Sequence, residues 1–278
     1  MKIGASFTLE KLQLADLVAA KQIGFDFVEF YIGDYYADIE ELKLQLIAIR
    51  EIIDSYDLFT VIHLSHLNSQ LIPDVALWTD YVDRISEQIK LIGELGITKK
   101  LVFHGVYGHS EDPEGITAEK IAEAKDLALK EWLKLASENN LQLLLENTDE
   151  SVDDLKPIFK KHKELGFTFD IGHANIVFPG SQHKTTDDKI YSLIETFGKK
   201  MEHIHIHDNF GGFNEQADAH LPIGTASIDF KRFFAKLKEM KYDKTITLEI
   251  YNREFLAIYL EASYIALMEI FTECKIDP

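Results

Sequence analysis

The sequence predicts a single α/β domain folded as a (β/α)8 barrel, and three observations predict it. Eight short β-branched or aromatic runs recur, each followed by a polar turn and a longer segment with apolar residues at helical spacing. Runs such as Leu141-Gln142-Leu143-Leu144-Leu145 are almost continuously apolar, as strands covered by helices on both faces require. The 278 residues contain no Pro/Gly/Ser linker, no low-complexity tract, no strand followed by G-x-G-x-x-G and no G-x-x-x-x-G-K-S/T. One domain over 1–278 is the economical reading, since a barrel of this type takes about 250 residues.

The elements follow in strict alternation. Strands are expected over 2–7, 27–31, 59–64, 100–104, 141–146, 167–171, 203–207 and 245–250. Helices are expected near 10–22, 39–55, 77–95, 117–139, 152–164, 187–198, 229–240 and 254–274. Gly24, Gly96 and Gly166 each precede a strand, where a left-handed residue closing a helix is expected. The last helix carries Phe255, Tyr259, Tyr264 and Phe271, an aromatic set suited to the core or to an interface.

Composition narrows the partners. Asp and Glu number 47 against 29 Lys and Arg, a formal charge of -18, and the arginines are only Arg50, Arg84, Arg232 and Arg253. Such a surface repels polyanions, so nucleic acid is disfavoured. No run reaches the roughly 18 to 20 apolar residues of a membrane span, and Met1-Lys2-Ile3-Gly4 begins a strand pattern rather than a signal peptide, which makes the cytoplasm the expected compartment. The lone Cys274 offers no internal disulfide and reads as a packing residue.

Barrel chemistry sits at the carboxyl ends of the strands. His63, His104, Glu146, Asp170, His173, His205, Asp218, His220 and Glu249 all fall there. Imidazole and carboxylate converging from several strands suit Zn²⁺, Mn²⁺ or Fe²⁺, whereas an ordinary core would place Val, Ile or Leu at inward rim positions. His203-Ile204-His205-Ile206-His207 puts three imidazoles on one face of strand 7; His205 is taken as the ligand, and His203 and His207 as supporting or core groups. His66 and His109 lie further out, where a solvated side chain is expected, and Tyr35-Tyr36 offer a stacking surface or loop packing. His183 falls in loop 172–186 with Pro179-Gly180-Ser181, which reads equally as a lid or a plain surface loop. Lys184 and Arg253 are the rim cations near strands 6 and 8, and the Gly211-Gly212 turn could offer N–H groups to an anion.

These motifs, taken in order, resemble the xylose isomerase-like TIM-barrel superfamily over nearly the whole chain. The carrying pieces are Phe169-Asp170-Ile171-Gly172-His173, His205-Ile206-His207-Asp208-Asn209, the run from His220 through Pro222 and Gly224 to Asp229, Glu146-Asn147 and Leu248-Glu249. Ala226 stands where the superfamily often has Gly. The resemblance implies one divalent ion, often Mn²⁺, held by Glu146, Asp170, His205 and Glu249, with His173 contacting substrate. Its endonuclease IV branch implies a trinuclear zinc site whose further ligands map onto His63, His104, His173, Asp218 and His220. Monomers, dimers and tetramers are all permitted.

The expected function is a metal-dependent isomerase or epimerase of a small sugar, sugar phosphate or polyol. Glu146 and Glu249 exchange a proton through a metal-stabilised enediolate. The alternatives are a polynuclear zinc phosphoesterase acting on abasic sites and a barrel that binds its ligand without turnover. Charge separates the first two: Asp34, Asp38 and Glu40, then Glu111, Asp112 and Glu114, then Asp149, Glu150, Asp153 and Asp154 crowd three rim loops that hold no Lys or Arg. The run His207-Asp208-Asn209-Phe210 also departs from the nuclease pattern, which has a lysine there.

Overall fold

The computed structural model describes residues 1–33, 38–66, 75–105, 118–177, 182–212, 218–251 and 254–277. Strands β1 (Lys2–Thr8), β2 (Phe27–Tyr31), β3 (Phe59–His63), β4 (Lys100–His104), β5 (Gln142–Glu146), β6 (Gly166–Asp170), β7 (Met201–Ile206) and β8 (Thr245–Leu248) pair in parallel, each with the next in sequence. β8 returns to β1, with Lys2 opposite Thr245 and Ala5 opposite Leu248, so the sheet has no edge. The expected barrel is the observed one.

Helices α1 (Leu14–Ile23), α2 (Ile39–Ser55), α3 (Val75–Leu95), α4 (Ala118–Glu138), α5 (Val152–Lys161), α6 (Ile171–Ala174), α7 (Thr186–Phe197), α8 (Phe230–Glu239) and α9 (Leu256–Cys274) return the chain between strands. Their starts are fixed locally. Asp38 accepts the Glu40 N–H, Asp229 accepts the Arg232 N–H, and Ser151 and Asp154 form a reciprocal capping box on α5. Among the described residues no helix is long and apolar enough to cross a membrane.

Alternation along the strands sorts side chains into two sets. Phe30, Ile62, Phe103, Leu145, Phe169, Ile204 and Ile246 belong to the large buried core that also takes in Leu46, Ile89, Trp132, Leu193, Phe233 and Leu260 from the helices. Burying each such side chain is worth roughly 1.5–3 kcal/mol. Inside the barrel, Phe27, Val61, Val102 and Leu144 form a separate apolar floor. The Phe27 ring stacks on Phe59 at 4.8 Å and lies over Gly4, where a Cβ would come within 2.5 Å of it. Lys100 closes the base from β4 by donating to Glu202 O at 2.7 Å and Thr245 Oγ1 at 3.1 Å.

The boundaries differ from the expected ones where pairing ends. β7 starts at Met201 and stops at Ile206, so His207 lies just beyond it; β8 stops at Leu248, although the Glu249 N–H still reaches Ile206 O at 3.1 Å. Gly24 and Gly96 are left-handed, with φ of 109° and 61°. Gly166 is not: it is the first residue of β6, and its missing side chain matters because a Cβ there would meet Leu144 Cδ2 at 2.4 Å. Close packing of neighbouring strands, rather than a helix end, explains that glycine.

Candidate metal centre and active site

The mouth is built by the same alternation that builds the floor. Two residues on from Phe27, Val61, Val102 and Leu144 stand Glu29, His63, His104 and Glu146, and each step of two moves a side chain about 6.6 Å towards the carboxyl end. The opposite wall supplies Asp170 at the end of β6, His203 and His205 in β7, and Thr247 in β8.

Besides Glu29, His203 and His205, three groups of ligating side chains converge among the described residues. Glu146, Asp170, His205 and Glu249 are all buried and bring ligand atoms within 4.8 Å of one another. His63, His104 and Glu146 form a second group, and His173, His207, Asp218 and His220 a third. Glu146 joins the first two: its Oε2 lies 3.1 Å from His63 Nε2 and 3.2 Å from His104 Nε2, and its Oε1 lies 3.1 Å from His205 Nδ1 and 3.3 Å from His173 Nδ1. His205 Nδ1 also faces Glu249 Oε2 at 3.4 Å and Asp170 Oδ2 at 3.8 Å. All nine residues singled out in the sequence therefore lie in one connected cluster at the mouth.

The spacing of Asp170 and His173 has a local cause. Asp170 caps α6, its Oδ1 accepting the His173 N–H at 2.7 Å, while Asn147 clamps the Asp170 backbone through two bonds of 2.9 Å. His173 Nδ1 then sits 3.0 Å from Asn147 O, and its Nε2 faces Asp218 Oδ2 at 3.4 Å. Both nitrogens face protein groups. His220 adopts a left-handed backbone, φ 44°, with Nδ1 2.9 Å from Glu249 O and Nε2 3.2 Å from Asp218 Oδ1, a strained position of the kind found at functional sites. Asp208 holds the following loop by accepting the Ala226 and Ile228 N–H groups, and Ala226 does this without positive φ.

Charge balance follows from the packing. Burial pushes the Glu146 carboxyl up, but the imidazoles of His205 and His104 outweigh it and hold Glu146 well below the usual range. Burial works likewise against Glu29, where His205 and His203 prevail, and against Asp218, where His173 and His220 do. In turn, burial depresses His205 and His173, but the carboxylates around them raise both well above ordinary histidine. His104 and His203 go down, burial winning in each case. A divalent cation would supply the same positive charge at the same centre, the ligands losing their protons as it binds.

The donor set fits such an ion. Asp170 Oδ2 is buried with no hydrogen-bond partner, although Oδ1 of the same carboxylate is satisfied, and it faces the Glu146–His205–Glu249 group. Leaving a buried carboxylate oxygen unpaired is costly unless something else binds it. Glu146, Asp170, His205 and Glu249 would hold the ion, and mixed imidazole and carboxylate donors suit Mn²⁺ or Zn²⁺.

Two participants escaped the sequence reading. Glu29, in the apolar run of β2, is fully buried: its Oε2 lies 2.9 Å from His203 Nε2 and accepts from Thr247 Oγ1 at 2.6 Å, and its Oε1 lies 3.0 Å from His205 Nε2. Tyr251 donates to Glu249 Oε1 at 2.8 Å and stacks on His220 at 3.9 Å. A glutamate amid Phe27, Val28 and Phe30, in register with the floor, was the signal available for the first. His66, expected in solvent, is instead half-buried and stacked on Tyr31, whose hydroxyl lies 2.7 Å from His66 Nδ1. Gly211 N–H is already taken by Asn209 Oδ1 at 2.9 Å, which removes one of the two donors expected of that turn. The acidity of loop 147–154 is partly met from outside it, because buried Lys189 of α7 donates to Thr148 O at 3.5 Å and is attracted by Glu150, Asp149 and Asp154, although burial still brings it down to about 8. Tyr35, Tyr36, His109, Arg253 and Pro179-Gly180-Ser181 lie outside the described residues.

Fold and site together define a (β/α)8 barrel whose mouth carries side chains able to ligate a metal ion. The family model described as "Xylose isomerase-like TIM barrel" matches residues 17–274, and the chain belongs to that family. The structure of a D-tagatose 3-epimerase-like protein superposes with a TM-score of 0.76 at 24% identity, covering 99% of this chain and 98% of that one. The TTHB071 protein from Thermus thermophilus, soaked with ZnCl2, gives 0.72 at 24% identity over 98% and 99%. 3-Keto-D-glucoside 4-epimerase YcjR from E. coli gives 0.70 at 16% identity over 98% and 99%. At these identities the likeness establishes the fold. An uncharacterised protein of Methanocaldococcus jannaschii, MJ1311, is 34% identical over 151 residues, 51% of this chain, and the chain spans about half its length, 47%.

Proposed function

We propose that this chain is a divalent-metal-dependent isomerase or epimerase acting on a small sugar, sugar phosphate or polyol. The observation that carries the reading is the placement of Glu146 and Glu249. From β5 and from just beyond β8, they come within 3.1 and 3.4 Å of the same nitrogen, His205 Nδ1. An ion held there with Asp170 supplies Lewis-acid polarisation of a substrate carbonyl and its neighbouring hydroxyl.

The chain's own residues supply the proton transfer. One of Glu146 and Glu249 removes the proton from the carbon next to the carbonyl, and the other returns one, on the same or the opposite face. Tyr251 ties Glu249 through Oε1 and leaves Oε2 directed at the centre, so this carboxylate has one oxygen available for the work. The apolar floor of Phe27, Val61, Val102 and Leu144 excludes water from below. Sugar epimerases among the proteins of similar fold support the substrate class. Glu146→Gln and Glu249→Gln test the assignment by solvent deuterium incorporation into bound ketose: loss in both supports it, and undiminished exchange overturns it.

A polynuclear phosphoesterase is favoured by one observation, the double use of Glu146 beside a third ligand group. Two or three ions could then clamp an attacking hydroxide and a leaving oxygen. Metal stoichiometry separates the readings, near one ion per chain supporting the isomerase when no structural ion is present. Cleavage of an abasic-site oligonucleotide at low salt would support the hydrolase directly.

A further inference from the structure

The interior of the barrel is not uniformly apolar. Beside the floor of Phe27, Val61, Val102 and Leu144, the side chains of Glu29 from β2, His203 and His205 from β7, and Thr245 and Thr247 from β8 are all buried. Val, Ile or Leu ordinarily fill such layers, and buried polar groups persist where each finds a partner. Here they partner one another in a chain. Lys100 Nζ, at the base, donates to Thr245 Oγ1 at 3.1 Å, and Thr245 Oγ1 lies 2.6 Å from His203 Nδ1. His203 Nε2 lies 2.9 Å from Glu29 Oε2, and Glu29 Oε1 lies 3.0 Å from His205 Nε2. The chain thus runs from the base of the barrel to the ring whose Nδ1 faces the ligand group at the mouth.

We propose that Lys100 is a positioning residue that sets the direction of this chain and, through it, holds the tautomer of His205. An ammonium has three donors and no acceptor, so Lys100 gives hydrogens and takes none. Thr245 Oγ1 accepts one, and its own hydrogen then has two places to go. Glu202 O lies 3.3 Å away and already accepts from Lys100 at 2.7 Å, whereas His203 Nδ1 lies at 2.6 Å. The hydrogen goes to His203 Nδ1, which leaves that nitrogen bare and puts the ring's own hydrogen on Nε2, facing Glu29. The reverse direction would set a lone pair of His203 against the Glu29 carboxylate at 2.9 Å. Glu29 therefore receives N–H groups from His203 and His205 and the Thr247 hydroxyl at 2.6 Å. With the His205 hydrogen committed to Nε2, its Nδ1 lone pair is left for an ion. The consequence for metal affinity rests on the metal-binding reading of the mouth; the tautomers do not.

The test uses the full chain, metal-free and labelled with ¹⁵N-histidine, and reads the hydrogen on each ring nitrogen from long-range proton–nitrogen couplings. Mn²⁺ affinity is then measured by chelator competition. In wild type, His203 and His205 should both carry their hydrogen on Nε2. Lys100→Met frees Thr245 to accept from His203 and to give its own hydrogen to Glu202 O, so a hydrogen should appear on His203 Nδ1. Mn²⁺ affinity should fall with it by about three- to tenfold, the equivalent of one hydrogen bond. Lys100→Arg, which also only donates, should restore both readings. If Lys100→Met does not fold, two substitutions at the next link decide. Thr245→Val cuts Lys100 off from the ring and should lower the affinity by the same factor, while Thr245→Ser keeps the hydroxyl and should hold the wild-type value; equal affinities in the two overturn the proposal. A folded Lys100→Met with His203 Nδ1 still bare and Mn²⁺ affinity unchanged has lost packing alone and overturns it, whatever its melting temperature. A wild-type His203 with hydrogen on Nδ1 does the same. A wild type that shows both tautomers yet binds no Mn²⁺ sinks the metal reading of the mouth and supports the chain.

Discussion

Glu29 Oε1 lies 3.0 Å from His205 Nε2, on the opposite edge of the ring from the nitrogen that faces Glu146, Asp170 and Glu249. A carboxylate in that place fixes the Nε2–H tautomer and turns the Nδ1 lone pair towards the ligand group. Glu29 is itself oriented by Thr247 and His203. Replacing it with Gln is expected to weaken metal binding by about 10–100-fold while the barrel stays folded. Chelator competition measures this, and an unchanged dissociation constant would refute the positioning role.

Glu146→Gln and Glu249→Gln keep the side-chain shape and remove the base. Turnover of a responsive ketose is expected to fall by about 10²–10⁴-fold for each, with substrate binding changed much less. Rates and binding compared in parallel check this. A tenfold or greater loss of binding with full turnover of what remains bound would place these residues in recognition instead.

The Glu150 carboxyl, buried after β5, is pushed up to about 7 by burial and by Asp149, against the hydrogen bonds from Thr148. Because its folded value lies above its unfolded value of 4.5, the folded state prefers the protonated form. Its stabilising contribution is complete below pH 4.5 and is lost as pH rises through 7, a change of about 3 kcal/mol for a shift of this size. Glu150→Gln removes the titration and should gain on wild type between pH 5 and pH 8. Urea unfolding at both values reads the difference directly, and a gap that does not change with pH contradicts the assignment.

Gly4→Ala places a methyl group 2.5 Å from the Phe27 ring at the barrel floor. Overpacking of this kind costs about 1–3 kcal/mol. The melting temperature should drop while metal affinity holds, since Gly4 touches none of the ligating groups; an unchanged melting temperature would mean that the floor yields more readily than the packing implies.

The barrel was legible because eight apolar runs separated by helical spacing admit few other arrangements, and the nine mouth residues because strand ends could be located to within a residue or two. Depth was not legible. Alternation places His203, His205 and His207 on one face, yet only the three-dimensional stagger of the strands puts the first against Glu29, the second at the ligand centre and the third against Gly172. Glu29 was hidden for the same reason: its partners come from β7 and β8, more than 170 residues away along the chain. Gly166 misled because glycine serves close strand packing as readily as a helix end, and His66 because its cover, Tyr31, belongs to the neighbouring strand.

The central claim is that Glu146, Asp170, His205 and Glu249 bind one divalent ion through four separate strand ends. Anomalous scattering from crystals grown with Mn²⁺, recorded on both sides of the manganese edge, tests it most directly. The account predicts a peak at the centre of these four side chains, with His205 Nδ1 as its nitrogen ligand and Glu29 still on Nε2. A map without density there, while the four groups remain joined only to one another, would contradict it.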